Sequence, residues 1–235
     1  PLLYRGATLS QGTVLAAGND AVMVVQEGRS ALVVNSGTDS TAFYTVVPFL
    51  RQAGVNQLAS AIHGDDSDSE NWRTIADRAP IRKFYGTGSA LTAVPTGGQF
   101  HQLNPNQVQP VDRQRVQALQ DGEAGLRLTL LGHTWLLLPQ LSRDRQMPWI
   151  QAHPGLQSEV LWWHGEALSE AAIATINPRI AIASARTIDP DTEALLKQKD
   201  IQVFCTERDG AIIWGRGPSY RAYLASPQHP AAGFD

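Results

Sequence analysis

The sequence predicts a mixed α/β domain built as a four-layer αββα sandwich. Two observations carry this. Each half of the chain opens on short β-like runs and then alternates helix and strand, and two such halves bury their apolar strand faces only by packing sheet to sheet with helices outside. No internal repeat or low-complexity tract breaks this plan.

The first half, about residues 1–110, begins with the β-like runs Thr13–Ala16, Ala21–Val25 and Ala31–Val34. Gly18-Asn19-Asp20 and Glu27-Gly28-Arg29 separate them as turns. Phe43, Val46, Val47, Leu50 and Ala53 then recur at helical spacing, predicting a helix over Ser40–Ala53 closed by Gly54. Gln57–Ile62 reads as a buried strand, Asn71–Arg78 as a short helix and Lys83–Tyr85 as a strand. Residues 86–122, rich in Gly, Pro, Gln and Asn, read as loops and short strands crossing to the second half, about 120–225.

That half restarts with a hairpin, Leu126–Leu131 and Thr134–Leu138 around Gly132-His133. Strands near Val160–Trp162 and Ile180–Ser184 flank a helix at Leu168–Ile176, and a last helix, Thr192–Gln198, leads into Gln202–Cys205. A closing hairpin is expected between Phe204–Thr206 and Ala211–Trp214, turned at Arg208-Asp209-Gly210, because Asp-Gly is a strong hairpin signal. The tail after Tyr223, with its prolines, is expected to fray.

Composition narrows the class. At 235 residues, 43% hydrophobic and 17% charged, the chain reads as a single soluble globular domain able to bury a large core. Its abrupt start at Pro1 suggests a fragment of a longer protein. One cysteine, Cys205, excludes an internal disulfide and a cysteine zinc cage; in Gln202-Val203-Phe204-Cys205 it reads as a buried, inert thiol. The net charge of −3 lacks the basic excess of a sequence-independent nucleic-acid binder. Arginine nevertheless dominates the cations, the only lysines being Lys83, Lys197 and Lys199, a bias that suits phosphate contacts and also follows from GC-rich coding.

Five segments, in order, resemble a known family. Leu15-Ala16-Ala17-Gly18-Asn19-Asp20-Ala21-Val22 is similar to L-D-V-G-Q-G-D-A-I, one residue short, and Leu32-Val33-Val34-Asn35-Ser36-Gly37 to L-L-I-D-G-G. Val47-Pro48-Phe49-Leu50-Arg51-Gln52-Ala53-Gly54-Val55 follows V-L-P-y-L-r-x-x-G-I. Asn177-Pro178-Arg179-Ile180-Ala181-Ile182-Ala183-Ser184 and Thr206-Glu207-Arg208-Asp209-Gly210-Ala211-Ile212 resemble x-P-r-v-A-v-i-S and T-D-R-D-G-A-I. Over roughly residues 12–214 the chain thus resembles the metallo-β-lactamase-like C-terminal domain of the ComEC competence proteins. The resemblance implies the metallo-β-lactamase fold and a place in DNA uptake during natural transformation. It implies a parent membrane channel as partner, DNA as a ligand, and a position on the outer, periplasmic face of the cell membrane.

The family's chemistry is metal-dependent phosphodiester cleavage, in which two cations activate water and stabilise the transition state. Its ligand loop S-H-P-D-A-D-H aligns with Ile62-His63-Gly64-Asp65-Asp66-Ser67-Asp68, keeping His63 and Asp65. The next Asp is replaced at Ser67, and the last His by Asp68. A further His is replaced at Asn104 and the metal-bridging Asp at Gln140, whose neutral amide cannot bridge cations as a carboxylate does. The H-H-G-S pair becomes Trp163-His164-Gly165-Glu166, keeping His164, and the final G-H-P aligns loosely with Ile188-Asp189-Pro190.

The resemblance therefore implies a degenerate site without a resident cofactor and a domain that is catalytically impaired or noncatalytic. Two readings stand beside it: a minimal Zn or Mn phosphodiesterase using His63, Asp65, Asp68 and His164, and a structural binding module. Asp65, Asp66, Asp68 and Glu70 read as a solvated acidic loop, with a hard-cation site as the alternative. Trp162 and Trp163 must point to opposite sides of a strand, one into the core and the other into the emptied metal pocket or out to stack on a base. The Gly86–Ser89 stretch precedes no convincing helix and is no P-loop, and no nucleophile elbow surrounds Ser36 or Ser184.

Overall fold

A computed structural model of the chain describes residues 10–64, 71–87, 97–121 and 123–224. Two sheets face one another. In the first sheet, β1 (Ser10–Val14), β2 (Met23–Glu27) and β3 (Ser30–Val34) form an antiparallel meander. Parallel pairing then adds β4 (Gln57–Ile62), β5 (Ile81–Gly86) and β6 (Gln99–Gln102). In the second, β7 (Val108–Val111), β8 (Gln114–Asp121), β9 (Glu123–Leu130) and β10 (His133–Leu137) are antiparallel. The strands β11 (Val160–Trp163), β12 (Ile180–Ala183) and β13 (Gln202–Cys205) follow in parallel. With β14 (Ile212–Trp214) and β15 (Tyr220–Ala222), the first sheet runs in the order β15-β14-β1-β2-β3-β4-β5-β6 and the second β13-β12-β11-β10-β9-β8-β7.

Period-2 alternation explains the layers. Met23, Val25, Leu32, Val34, Leu126, Leu128, Trp135 and Trp162 meet between the sheets. Their neighbours in sequence, Val22, Val24, Ala31 and Val33, face a helical layer made by α1 (Asp39–Thr41), a π-helical turn (Ala42–Val46), α2 (Val47–Gln52) and α3 (Trp72–Ala76). Leu136, Leu161, Trp163, Ala181 and Ala183 face the opposite layer, α4 (Arg143–Ala152), α5 (Glu170–Ile176) and α6 (Pro190–Gln198). Three apolar clusters thus separate four layers, as the sequence predicts.

Helix ends follow capping chemistry. Ser169 accepts from the Ala172 amide at the start of α5, and Asp189 from the Thr192 amide at the start of α6, where Pro190 occupies the first turn. Asn177 closes α5 in the left-handed conformation.

Four features differ from the sequence expectations. The helix expected over Ser40–Ala53 forms, but a π-helical turn interrupts it between α1 and α2. The helix α4 was not expected, because Pro148 lies inside it and its first turn is polar. Strand β8 runs for eight residues where short elements were expected. The closing hairpin does not form: β13 pairs with β12 in the second sheet, while β14 (Ile212–Trp214) pairs with β1 and β15 (Tyr220–Ala222) in the first. Between them Thr206–Asp209 makes one helical turn, α7. The Asp209 carboxylate accepts from the Cys205 amide and pairs with Arg208, so local bonds to Asp209 favour the helical turn over a hairpin turn.

Candidate functional site

The parallel strands β3, β4, β11, β12 and β13 all end at one rim of the sandwich, and hydrogen bonds join the loops that follow them. Asn35, fully buried with φ +58, leaves β3 in the left-handed region that Asn tolerates. Its side-chain amide donates to the Ala21 carbonyl at 3.1 Å and its oxygen accepts from the Gly64 amide at 3.0 Å. The Asp20 carboxylate accepts from the Thr38 amide and from the Thr38 and Thr41 hydroxyls, tying the β1–β2 loop to the start of α1.

Asn19 spans both sheets: its carbonyl accepts from His164 Nδ1 at 3.1 Å, and its side-chain oxygen from the Arg186 amide at 3.3 Å. Glu207 on α7 accepts from the Gly18 amide at 2.8 Å. A Cβ at Gly64 would stand 2.2 Å from Leu126 of the facing sheet, so only glycine lets this loop approach so closely.

His63 follows β4 and is 7% exposed. Trp72 Nε1 lies 3.4 Å from its Nδ1, and its ring stacks near Phe84, both on the helical side of the first sheet. His164 follows β11, and a carbonyl partner requires its Nδ1 to carry the proton. Asn104 lies exposed beyond β6, where its amide donates to Gln109, and Gln140 lies exposed between β10 and α4. Asp65, Asp66, Ser67, Asp68 and Glu70 lie outside the described residues.

Among the described residues, no three His, Cys, Asp or Glu side chains are grouped to hold a metal ion. The described part of that donor set does not by itself make a two-metal centre: His63 engages Trp72, His164 engages Asn19, and Asn104 and Gln140 are exposed amides.

Both tryptophans are fully buried, which corrects the expectation for the second. Trp162 faces the inter-sheet core and donates to Ser184 Oγ at 2.8 Å. Trp163 faces α4 and α5 and donates to the Glu166 carbonyl at 3.2 Å. It fills the helical layer, because its side of β11 is the helix side, and neither ring is available for stacking.

Glu166, unremarked in the sequence except as the replaced Ser of H-H-G-S, has both carboxylate oxygens buried without a hydrogen-bond partner. Burial pushes its carboxyl up against the opposing effects of its own backbone and of His164.

The two facing sheets with outer helices are the metallo-β-lactamase fold, and solved structures of that fold superpose on the chain. One is the metallo-β-lactamase fold protein YhfI from Bacillus subtilis, at a TM-score of 0.59 and 11% identity over 87% of this chain and 99% of that one. Igni18, a metallo hydrolase from Ignicoccus hospitalis, gives 0.57 and 10% over 88% and 99%. CmlA β-hydroxylase gives 0.56 and 8% over 88% and 54%. Identities this low show the fold alone. No family model matches the chain, and no curated protein matches it.

Proposed function

We propose that the chain is a domain of a ComEC-like DNA-internalisation protein in which metal-dependent hydrolysis is lost or impaired. It stands beside the channel of the same parent protein on the outer face of the membrane and serves DNA passage or assembly. The observation that carries this reading is that four of the five family-like segments supply the rim and are joined there: Gly18 to Glu207, Asn19 to His164 and to Arg186, which follows the fourth segment, and Asn35 to Ala21 and Gly64. These bonds link the loops that would otherwise carry ligands, and neutral amides at Asn35, Asn104 and Gln140 stand where the family has Asp, His and Asp.

Elemental analysis after dialysis against Zn²⁺ and Mn²⁺, with His63→Ala beside the wild type, tests the reading. The expected result is less than about 0.1 equivalent of either metal in both proteins. Retention of about one or two equivalents, lost in the variant, overturns it in favour of a hydrolase using His63, Asp65, Asp68 and His164.

A further inference from the structure

A polyanion would meet acids at the rim, where Asp20 and Arg186 line one open pocket and Glu207 holds the Gly18 amide beside it. The opposite electrostatic character lies on the outer face of the second sheet. Strands β8 and β9 turn Val116, Ala118, Leu126 and Leu128 toward the first sheet. Their alternates Arg115, Gln117, Arg127 and Thr129 face outward. At one end of this face α4 covers the strands: Trp149 lies where a Cβ on Gly125 would stand 2.8 Å away, and Arg145 pairs with Glu123 at 3.0 Å. The other end forms an open groove of about 190 Å³, bordered by Val108, which is 60% exposed.

Register sets the spacing of the two cations. Arg115 sits opposite Thr129 and Arg127 opposite Gln117, so the arginines are diagonal neighbours, about 7–8 Å apart between Cα atoms. Among the described residues neither is held in an ion pair. The nearby acids are already engaged, Glu123 by Arg145 and Glu159 by His133 and Arg179.

We propose that this outer face of β7, β8 and β9 docks an extended phosphodiester backbone, with Arg115 and Arg127 as forked phosphate contacts and Gln117 and Thr129 as further donors. Guanidinium forks match phosphate oxygens in bidentate geometry. An acidic peptide adding as a strand is disfavoured, because β7 is four residues long and Pro110 within it has no N–H to offer. The inference concerns a surface away from the rim and does not depend on what the rim does.

Fluorescence anisotropy of the full chain with a labelled oligothymidylate of ~20 nucleotides, over a salt series, tests it. Arg115→Gln/Arg127→Gln is expected to weaken binding at least about tenfold at low salt and to flatten the slope of log K against log salt by about 1.4, two phosphates' worth. Arg221→Gln, exposed on the first sheet, is expected to leave binding unchanged. A double variant that binds like the wild type, or an equal loss in Arg221→Gln, overturns the assignment of this face while leaving a DNA role intact. A wild type that binds no oligonucleotide overturns both. If the double variant does not fold, Arg115→Gln alone carries the comparison, since that side chain is exposed and its loss leaves the core untouched.

Discussion

Replacing Asn35 by Asp tests how the rim is held. Shape and backbone preference barely change, since both residues tolerate the left-handed region. Only the donor is lost. The Asn35 amide donates to the Ala21 carbonyl and accepts from the Gly64 amide in a fully buried setting. An ionised Asp still accepts from Gly64 but turns a second oxygen on the Ala21 carbonyl. A buried acceptor left without its donor costs about 1–3 kcal/mol. Desolvating the new carboxylate adds about 1–2 kcal/mol, the equivalent of roughly one pKa unit. The expected loss near neutral pH is about 3 kcal/mol, or a fall in Tm of about 6–12 °C for a domain of this size.

The pH dependence has a definite sign. The new carboxyl's folded pKa is raised above its unfolded value, because the protonated form can again donate to Ala21. The penalty is therefore complete above the folded pKa, shrinks as pH falls through it, and is absent below the unfolded value of about 3.9. Urea denaturation followed by tryptophan fluorescence, wild type against variant at several pH values, measures this difference. A variant within about 0.5 kcal/mol of wild type at neutral pH, or a gap that widens on acidification, refutes the reasoning.

Two further outcomes are expected. Burial works to raise the Glu159 carboxyl, but hydrogen bonds from Arg179 at 2.6 Å and His133 at 2.8 Å outweigh it and hold its pKa below the usual value. The stability it contributes is therefore present above the unfolded carboxylate pKa of about 4.3 and is lost as pH falls through the folded one. Glu159→Gln should cost about 1–2 kcal/mol near neutrality in a chemical melt, with the deficit fading in acid. Gly64→Ala should cost about 1–3 kcal/mol, because its Cβ would press on buried Leu126. Adding Leu126→Ala should restore part of that loss; strictly additive effects in the double-mutant cycle would contradict the close approach.

Local chemistry made much of this fold legible. Segments such as the apolar run Gln57–Ile62 and the helix read over Thr192–Gln198 state their structure within a few residues, although α6 starts two residues earlier, at Pro190, capped by Asp189. The closing segment did not, because Asp209-Gly210 has two uses. In a hairpin it turns two paired strands, whereas here the Asp209 carboxylate caps a helical turn, and Gly210, at φ +76, continues toward the other sheet. Which sheet a strand joins depends on partners about two hundred residues away, as in the pairing of Gly12 with Trp214, and no local pattern encodes that.

The rim shows the same division. By resemblance the sequence marks His63 and His164 as retained ligand positions and Asn104 and Gln140 as altered ones, but not what the surrounding residues do. A metal centre joins loops through shared ligands. Here Asn19 joins loops by accepting through its backbone carbonyl and its side-chain oxygen, and Asn35 by donating and accepting at once, which a carboxylate at position 35 could not do. The neutral amide at position 35 thus has a positive structural reason as well as a missing charge. It satisfies a buried carbonyl that an Asp in its place would leave to another partner. The exception is Glu166, whose buried carboxyl has no hydrogen-bond partner beside His164. An unpaired buried charge costs more than almost any other local defect, so this carboxyl is driven toward its neutral form. Substitution of Asn35 therefore reports on the hydrogen-bonded linkage of the rim while leaving His63 and His164 in place.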